Sequence, residues 1–184
     1  KHGEDWKFYR FPMEEPTEEE LAQFDGIFIP GASVSASDET LPWRENLLEI
    51  IRKAYNNNNK CRILGTCFGI QIIAEAFQGK TGKMADIERG TAKVSVSRDF
   101  WELPYVKKLN IEAKSQLLLA KSHADAVFQA PPLAKVFASS NCADVEIMAL
   151  GNRCLAFQGH PEMNEAWTAC LLYQAHNEKK SFKA

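Results

Sequence analysis

A cysteine stands between two glycines where an apolar strand pattern gives way to a helical one. In the segment GTCFG, residues 65–69, Cys67 is flanked by Gly65 and Gly69. Glycines permit strained turns and close backbone approach, and the amides at a helix N-terminus favour negative charge on a nearby sulfur. A Gly-x-Cys-x-Gly turn of this kind is typical of a nucleophile. The alternative is that the two glycines only let the helix pack tightly on the sheet.

A nucleophilic cysteine needs a base, and the best candidate among the four histidines is His160 in FQGHPE, residues 157–162. A histidine just past an apolar strand lies where α/β enzymes keep catalytic groups. Glu162 follows after Pro161, and this short spacer can present a carboxylate that fixes the imidazole tautomer and stabilises the imidazolium. In isolation these two would be a loop histidine and a helix N-terminal charge. Together with Cys67 they favour a Cys–His–Glu triad.

Strand and helix patterns alternate through the first half of the chain. The strand patterns are FDGIFIPG and CRILGT, and the helix patterns are PTEEELAQF with Thr17 and Glu20 as a capping box, LPWRENLLEIIRKAYNNNN with Pro42 at its start, and a helix from Phe68 to a Gly79 cap. Such an order predicts a parallel sheet with helices packed on its faces.

The second half is rich in short strand patterns, which are TAKVSVS, QLLLAKS, AKVFASS, VEIMALG and RCLAFQG, and a last helix, NEAWTACLLYQAHNE, follows them. GKTGK, residues 79–83, lacks the spacing of a phosphate-binding loop and is interpreted as a turn. We predict one domain over residues 1–184. Residues 1–13 do not have the pattern of a core strand, so we expect the first strand of the core to precede residue 1.

The composition excludes several classes of function. The 184 residues are 45% hydrophobic and 25% charged, with a net charge of −2, which argues against a nucleic-acid or anionic-membrane surface. No apolar run approaches the ~20 residues of a membrane span, and no signal-peptide core is present. The five cysteines match no zinc spacing, so we expect reduced thiols, a cytoplasmic location, no metal and no cofactor.

Three segments, GTCFGIQ, FQGHPE and FDGIFIPGA, resemble class I glutamine amidotransferases and occur in that family's order. Within the family, LPW, KSHADAVFQAP and VEIMALGNRCLAFQGHPEMNE are most similar to the plant-type γ-glutamyl peptidases. We therefore expect a flavodoxin-like three-layer α/β sandwich, with a mostly parallel central sheet, flanking helices and a small antiparallel strand element.

The resemblance also implies roles for particular residues. Cys67 would be the nucleophile, His160 the base and Glu162 the third member of the triad. The backbone N–H groups of Gly31 and Phe68 would form the oxyanion hole. The substrate-binding residues would be Gln71, Ser122 and His123, although a packed or surface histidine at position 123 is at least as good an interpretation.

Three departures from the family bear on the substrate. Ala32 replaces the second glycine of the usual oxyanion turn, Ile70 replaces a histidine common in close relatives, and the loop SVSASDET differs from theirs. The expected activity is hydrolysis of γ-glutamyl amide bonds, in γ-glutamyl peptides or glutathione conjugates, through a glutamyl thioester. The alternative is an amidotransferase subunit that hydrolyses glutamine and supplies ammonia to a partner synthetase. A relative that kept only the fold, as a binding module, is a third hypothesis.

Overall fold

The computed structural model describes residues 3–170 and residue 173. Its helices are α1 (Glu18–Gln23), α2 (Arg44–Asn57), α3 (Phe68–Ala76), α4 (Arg98–Glu102) and α5 (Pro104–Lys107). Its strands are β1 (Gly26–Ile29), β2 (Arg62–Thr66), β3 (Lys80–Val96), β4 (Gln116–Gln129), β5 (Ala134–Ser139), β6 (Ile147–Leu150) and β7 (Cys154–Phe157).

The helices of the first half follow the sequence signals closely. The capping box at the start of α1 is confirmed, since Thr17 and Glu20 each bind the other's backbone N–H. Helix α2 begins at Arg44, two residues after Pro42, and its apolar face is buried. Helix α3 ends at Ala76, before the expected Gly79 cap, and the Gly79 N–H donates to the Ala74 carbonyl at 2.8 Å.

Three elements of the second half differ from the prediction. The short helices α4 and α5 were not predicted, and the segment interpreted as a turn, residues 79–83, enters strand β3 at Lys80. That interpretation is wrong because Lys80 pairs with Gln129 and Thr81 with Val127 on β4. Of the predicted last helix, residues 165–170 and Tyr173 are helical, and its other residues from 171 onward lie outside the described part of the chain.

The sheet is mixed, not mostly parallel as expected. Its strand order is β1-β2-β7-β6-β5-β3-β4. In the described part of the chain, β1 with β2 and β2 with β7 are parallel, and the other four pairings are antiparallel. The antiparallel part is large because β5, β6 and β7 are joined by connections too short for a crossover helix.

The sheet also curls, so that the edge strand β4 comes back to lie next to the end of β7. Ala120 of β4 forms a bridge with His160, just past β7, and the His160 N–H donates to the Ala120 carbonyl at 2.9 Å. This bridge brings β4 beside the carboxyl ends of β2 and β7.

Both faces of the sheet are covered. In β6, Met148 and Leu150 belong to the hydrophobic cluster that contains α1, α2 and α3, whereas Ile147 and Ala149 belong to the cluster that contains α4 and α5. This alternation explains the continuous apolar run of β6, because both of its faces are buried. None of the helices in the described ranges is long and apolar enough to cross a membrane.

Candidate active site

Cys67 lies on a strained turn between β2 and α3. Its φ of 55° falls in a region that residues with a side chain rarely adopt. The Cys67 N–H donates to the Phe157 carbonyl of β7 at 2.9 Å, which holds this conformation. Strain of this kind persists only where the surrounding structure determines it, and it concentrates at functional sites.

The glycines on either side of Cys67 serve close packing. A Cβ added to Gly69 would lie 2.1 Å from the Ile29 carbonyl oxygen of β1, and one added to Gly65 would lie 2.7 Å from the Gly69 carbonyl carbon. Helix α3 therefore sits directly on β1 and β2. The two glycines do allow tight packing of α3 on the sheet, and the same packing sets the helix N-terminus beside the sulfur.

The strand register explains why His160 lies near Cys67. Thr66 pairs with Phe157 in the parallel β2–β7 ladder, so the residues that follow them emerge at the same edge of the sheet. His160 Nδ1 lies 2.8 Å from Glu162 Oε1, and the Thr66 hydroxyl donates to the same oxygen at 3.0 Å. Because an ionised carboxylate can only accept, the Nδ1–H donates to it and Nε2 is left for the sulfur.

The imidazole also lies close to Cys67, because a Cβ added to Gly31 would be 3.1 Å from His160 Cε1 and 3.7 Å from Cys67 Sγ. Burial disfavours the imidazolium, but the interactions with Cys67 and Glu162 outweigh it and raise the pKa of His160 to about 9. Burial likewise opposes ionisation of Glu162, yet the hydrogen bond from His160 lowers the pKa of that carboxyl below its usual value. His160 is therefore charged at neutral pH and faces a carboxylate on one side and the sulfur on the other.

The two residues predicted as oxyanion donors, Gly31 and Phe68, both have backbone next to Cys67. A Cβ added to Gly31 would lie 3.7 Å from Cys67 Sγ, which places this backbone against the candidate nucleophile. Phe68 is the first residue of α3, so its N–H has no acceptor within the helix. The role of these two residues as oxyanion donors stays a prediction.

The predicted substrate-binding residues have different surroundings. The Ser122 carbonyl accepts a hydrogen bond from Cys67 Sγ at 3.7 Å, so this residue borders the sulfur. Gln71 is buried, and its Nε2 donates to the Asp125 carbonyl at 2.8 Å. The His123 side chain is 1% exposed, with Nε2 lying 2.9 Å from Glu88 Oε2, and this burial favours the interpretation of a packed histidine.

Two further residues complete the surroundings of the site. Thr66 fixes Glu162, and the Asp125 carboxylate accepts a hydrogen bond from Ser35 in the loop that follows Gly31. The role of Thr66 was not predicted, and neither residue type carries a sequence signal for these contacts. Over residues 3–170 and 173, no three His, Cys, Asp or Glu side chains form a group that could hold a metal ion.

Comparison with known proteins finds similarity both to γ-glutamyl peptidases and to GMP synthases. The chain is 30% identical to γ-glutamyl peptidase 3 of Arabidopsis thaliana over 167 residues, which cover 90% of this chain and 66% of that protein. It is 31% identical to one subunit of the glutamine-hydrolysing GMP synthase of Saccharolobus solfataricus over 153 residues, 83% of this chain and 74% of the other. The chain thus spans about two thirds of the length of the γ-glutamyl peptidase.

A solved structure agrees with the fold. A glutamine amidotransferase from Thermotoga maritima superposes with a TM-score of 0.77 at 18% identity, over 96% of this chain and 73% of the other. The family model of class I glutamine amidotransferases matches residues 4–168. With most of its length matched, the chain belongs to the class I glutamine amidotransferase family.

Proposed function

We propose that this chain is a cysteine-dependent hydrolase of γ-glutamyl amide bonds, with Cys67 as nucleophile, His160 as acid and base, and Glu162 as the residue that orients the imidazole. The observation that supports this most directly is the convergence of the three side chains: His160 Nδ1 lies 2.8 Å from Glu162 Oε1, and a Cβ added to Gly31 would lie 3.1 Å from His160 Cε1 and 3.7 Å from Cys67 Sγ. A nucleophile, a histidine base and a residue that orients the base act in this order in many acyl-transfer enzymes.

In the first half of the reaction, the Cys67 thiolate attacks the γ-carbonyl carbon of the substrate. The carbonyl oxygen becomes an oxyanion that accepts hydrogen bonds from the N–H groups of Gly31 and Phe68. Removal of one such donor from comparable enzymes lowers kcat by about 100- to 1000-fold. The C–N bond then breaks as the His160 imidazolium gives its proton to the leaving nitrogen, and a glutamyl thioester remains.

In the second half, water attacks the thioester carbonyl while neutral His160 takes a proton from it. The C–S bond breaks, glutamate leaves, and the sulfur is again beside a protonated imidazole. Glu162 stays ionised throughout, since its task is to hold Nδ1–H and to stabilise the imidazolium. The chemistry is the same for an amino acid or ammonia as leaving group.

The similarity to a γ-glutamyl peptidase favours γ-glutamyl peptides or glutathione conjugates as substrates. The test is a side-by-side comparison of kcat/KM for γ-glutamyl dipeptides, glutathione conjugates and glutamine. We expect turnover of the peptides or conjugates and its loss in Cys67→Ser. Cys142→Ser is the matched control, because Cys142 is an exposed free thiol. Absence of turnover of every γ-glutamyl compound by a folded sample would refute the proposal.

The second candidate is an amidotransferase component that hydrolyses glutamine and passes ammonia to a synthetase. The similarity to part of a GMP synthase favours it. It predicts that glutamine is hydrolysed faster than any γ-glutamyl peptide. It also predicts that a synthetase co-purifies with the chain and raises its glutaminase rate.

A further inference from the structure

Beneath the candidate site lies a buried ion pair that the proposed mechanism does not use. Lys121 of β4 and Glu146, which precedes β6, are both fully buried and bound to each other. A second carboxylate, Glu88, lies 3.6 Å from the Lys121 ammonium. His123 completes the cluster, and burial together with the charge of Lys121 lowers the pKa of His123, so this imidazole is neutral.

The main chain on either side of Lys121 touches both reacting residues. The Ala120 carbonyl accepts from the His160 N–H at 2.9 Å, and the Ser122 carbonyl accepts from Cys67 Sγ at 3.7 Å. Contact along this strand is close, because a Cβ added to Gly159 would lie 3.0 Å from the Ala120 oxygen. A shift of β4 at Lys121 would therefore move the sulfur and the imidazole together or apart.

The partner of Lys121 is tied to the segment that leads to His160. The Glu146 carbonyl accepts from the Gln158 N–H at 2.8 Å, two residues before His160. The Gln158 side chain is fully buried, and its Oε1 accepts from Gln71 Nε2 of α3 at 3.4 Å. The ion pair thus joins β4 to the strand end that carries His160 and, through Gln158, to the helix that begins after Cys67.

We propose that the Lys121–Glu146 ion pair is a positioning element, which fixes β4 against residues 158–160 and so sets the contact between Cys67 Sγ and the His160 imidazole. This inference rests on the proposed function insofar as Cys67 and His160 react as a pair. A role in stability alone is a weaker account, since buried ion pairs replaced by apolar side chains of similar volume often leave stability unchanged or raised.

The decisive variant is Lys121→Met/Glu146→Leu, which removes both charges of the pair, while Glu88, whose side chain is 13% exposed, keeps its neighbour His123 at 2.9 Å. Lys135→Met is the matched control, because Lys135 forms an exposed pair with Asp99. One readout is the rate at which iodoacetamide alkylates Cys67, resolved from the other thiols by mass spectrometry. The other is the titration of His160 in protein with ¹⁵N-labelled histidine, followed by NMR.

We expect the double variant to fold, to alkylate at Cys67 about 10- to 100-fold more slowly than the parent, and to lose kcat by a similar factor with little change in KM. The pKa of His160 should fall from about 9 towards its ordinary value as the contact with Cys67 is lost. Lys135→Met should match the parent in each measurement. An unchanged alkylation rate and an unchanged His160 titration in the folded double variant would overturn the proposal.

If the double variant does not fold, Glu146→Gln decides, because it removes the charge that pairs with Lys121 and keeps the shape of the side chain. A parent-like His160 titration in this variant, or failure of both variants to fold, would contradict a positioning role. Both readouts work without a substrate. A parent protein that turns over no γ-glutamyl compound would thus refute the proposed function and leave this inference to be decided on its own.

Discussion

Gly31 lies directly against the imidazole of His160: a Cβ built on Gly31 would be 3.1 Å from His160 Cε1 and 3.4 Å from Cys67 Cβ. One backbone position therefore borders both the candidate base and the candidate nucleophile. Any side chain at this position must displace one of them. Even a methyl group at the predicted oxyanion turn would therefore crowd the two candidate catalytic residues.

Gly31→Ala tests this relationship. The added methyl group should push His160 or the residue 31 backbone by a few tenths of an ångström, and we expect kcat to fall about 10- to 100-fold. Stability should change by only about 1 kcal/mol, because the side of the site next to solvent can relax. Gly26→Ala is the matched control, since its Cβ would meet only the Arg62 carbonyl at an ordinary 3.4 Å. Equal kcat values for the two variants would contradict the prediction.

Thr66→Val should weaken the orientation of the imidazole without removing any reacting group. The variant keeps the shape of a side chain that is 1% exposed but loses the hydroxyl that donates to Glu162 at 3.0 Å. A hydrogen bond to a charged group contributes about 1.5 kcal/mol or more, so we expect kcat/KM to fall about tenfold. Thr66→Ser retains the hydroxyl and should restore most of the activity. If Val and Ser variants are equally active, Thr66 does not hold Glu162.

The pKa of His160 makes stability depend on pH in a definite direction. The folded-state pKa of about 9 lies above the unfolded value of 6.5, so the folded protein binds this proton more tightly. The resulting stabilisation is fully present below pH 6.5 and is lost as the pH rises through 9. Turnover should decline over the alkaline part of this range, because neutral His160 cannot protonate the leaving nitrogen.

The measurement is the Tm of the parent and of His160→Gln between pH 6 and 10. The Tm of the parent should fall more steeply than that of the variant as the pH rises. Glu162 acts in the opposite direction, since its pKa is lowered and its contribution is lost only as the pH falls into the acidic range. Parallel Tm curves for the two proteins over this range would show that His160 does not bind its proton more tightly in the folded state.

Asn58 should dominate the stability of the asparagine-rich loop. Its side-chain amide donates to the carbonyls of Leu21, Ala22 and Phe24 at 3.0, 3.2 and 2.9 Å, while its oxygen accepts from two backbone N–H groups. Asn58→Ala leaves these buried groups unpaired, so we expect the free energy of unfolding to fall by about 2 kcal/mol or more. Asn59→Ala, at an exposed position in the same run, should change it by less than about 0.5 kcal/mol. Urea denaturation checks both, and similar losses would contradict this account.

Local features of the fold could be predicted from the sequence, because their signals lie within a few residues. The capping box at Thr17, the strands on either side of α2 and the turn at Cys67 are of this kind. The proximity of Cys67 and His160 also agrees with the sequence-based expectation, although the roles of these residues stay predictions until activity is measured.

Features that depend on which distant segments meet could not be predicted. Strand pairing decides that the sheet is mixed, that β3 begins inside GKTGK and that β4 returns to His160. His123 is buried, and Lys121 pairs with Glu146, because these side chains of β4 face the interior of the protein. Likewise, only the meeting of α1 with the end of α2 distinguishes Asn58 from the other asparagines of its run.

The position of β7 between β2 and β6 has a consequence for biosynthesis. Ribosomes synthesise a chain from its N-terminus. Strand β2 and the turn at Cys67 are therefore made before β7 (Cys154–Phe157), which pairs with β2, is available. Until then, the acceptor of the Cys67 N–H, the Phe157 carbonyl, does not exist. In a nascent polypeptide, the hydrogen bond that holds the turn at Cys67 therefore forms only after the strand that leads to His160 has been inserted.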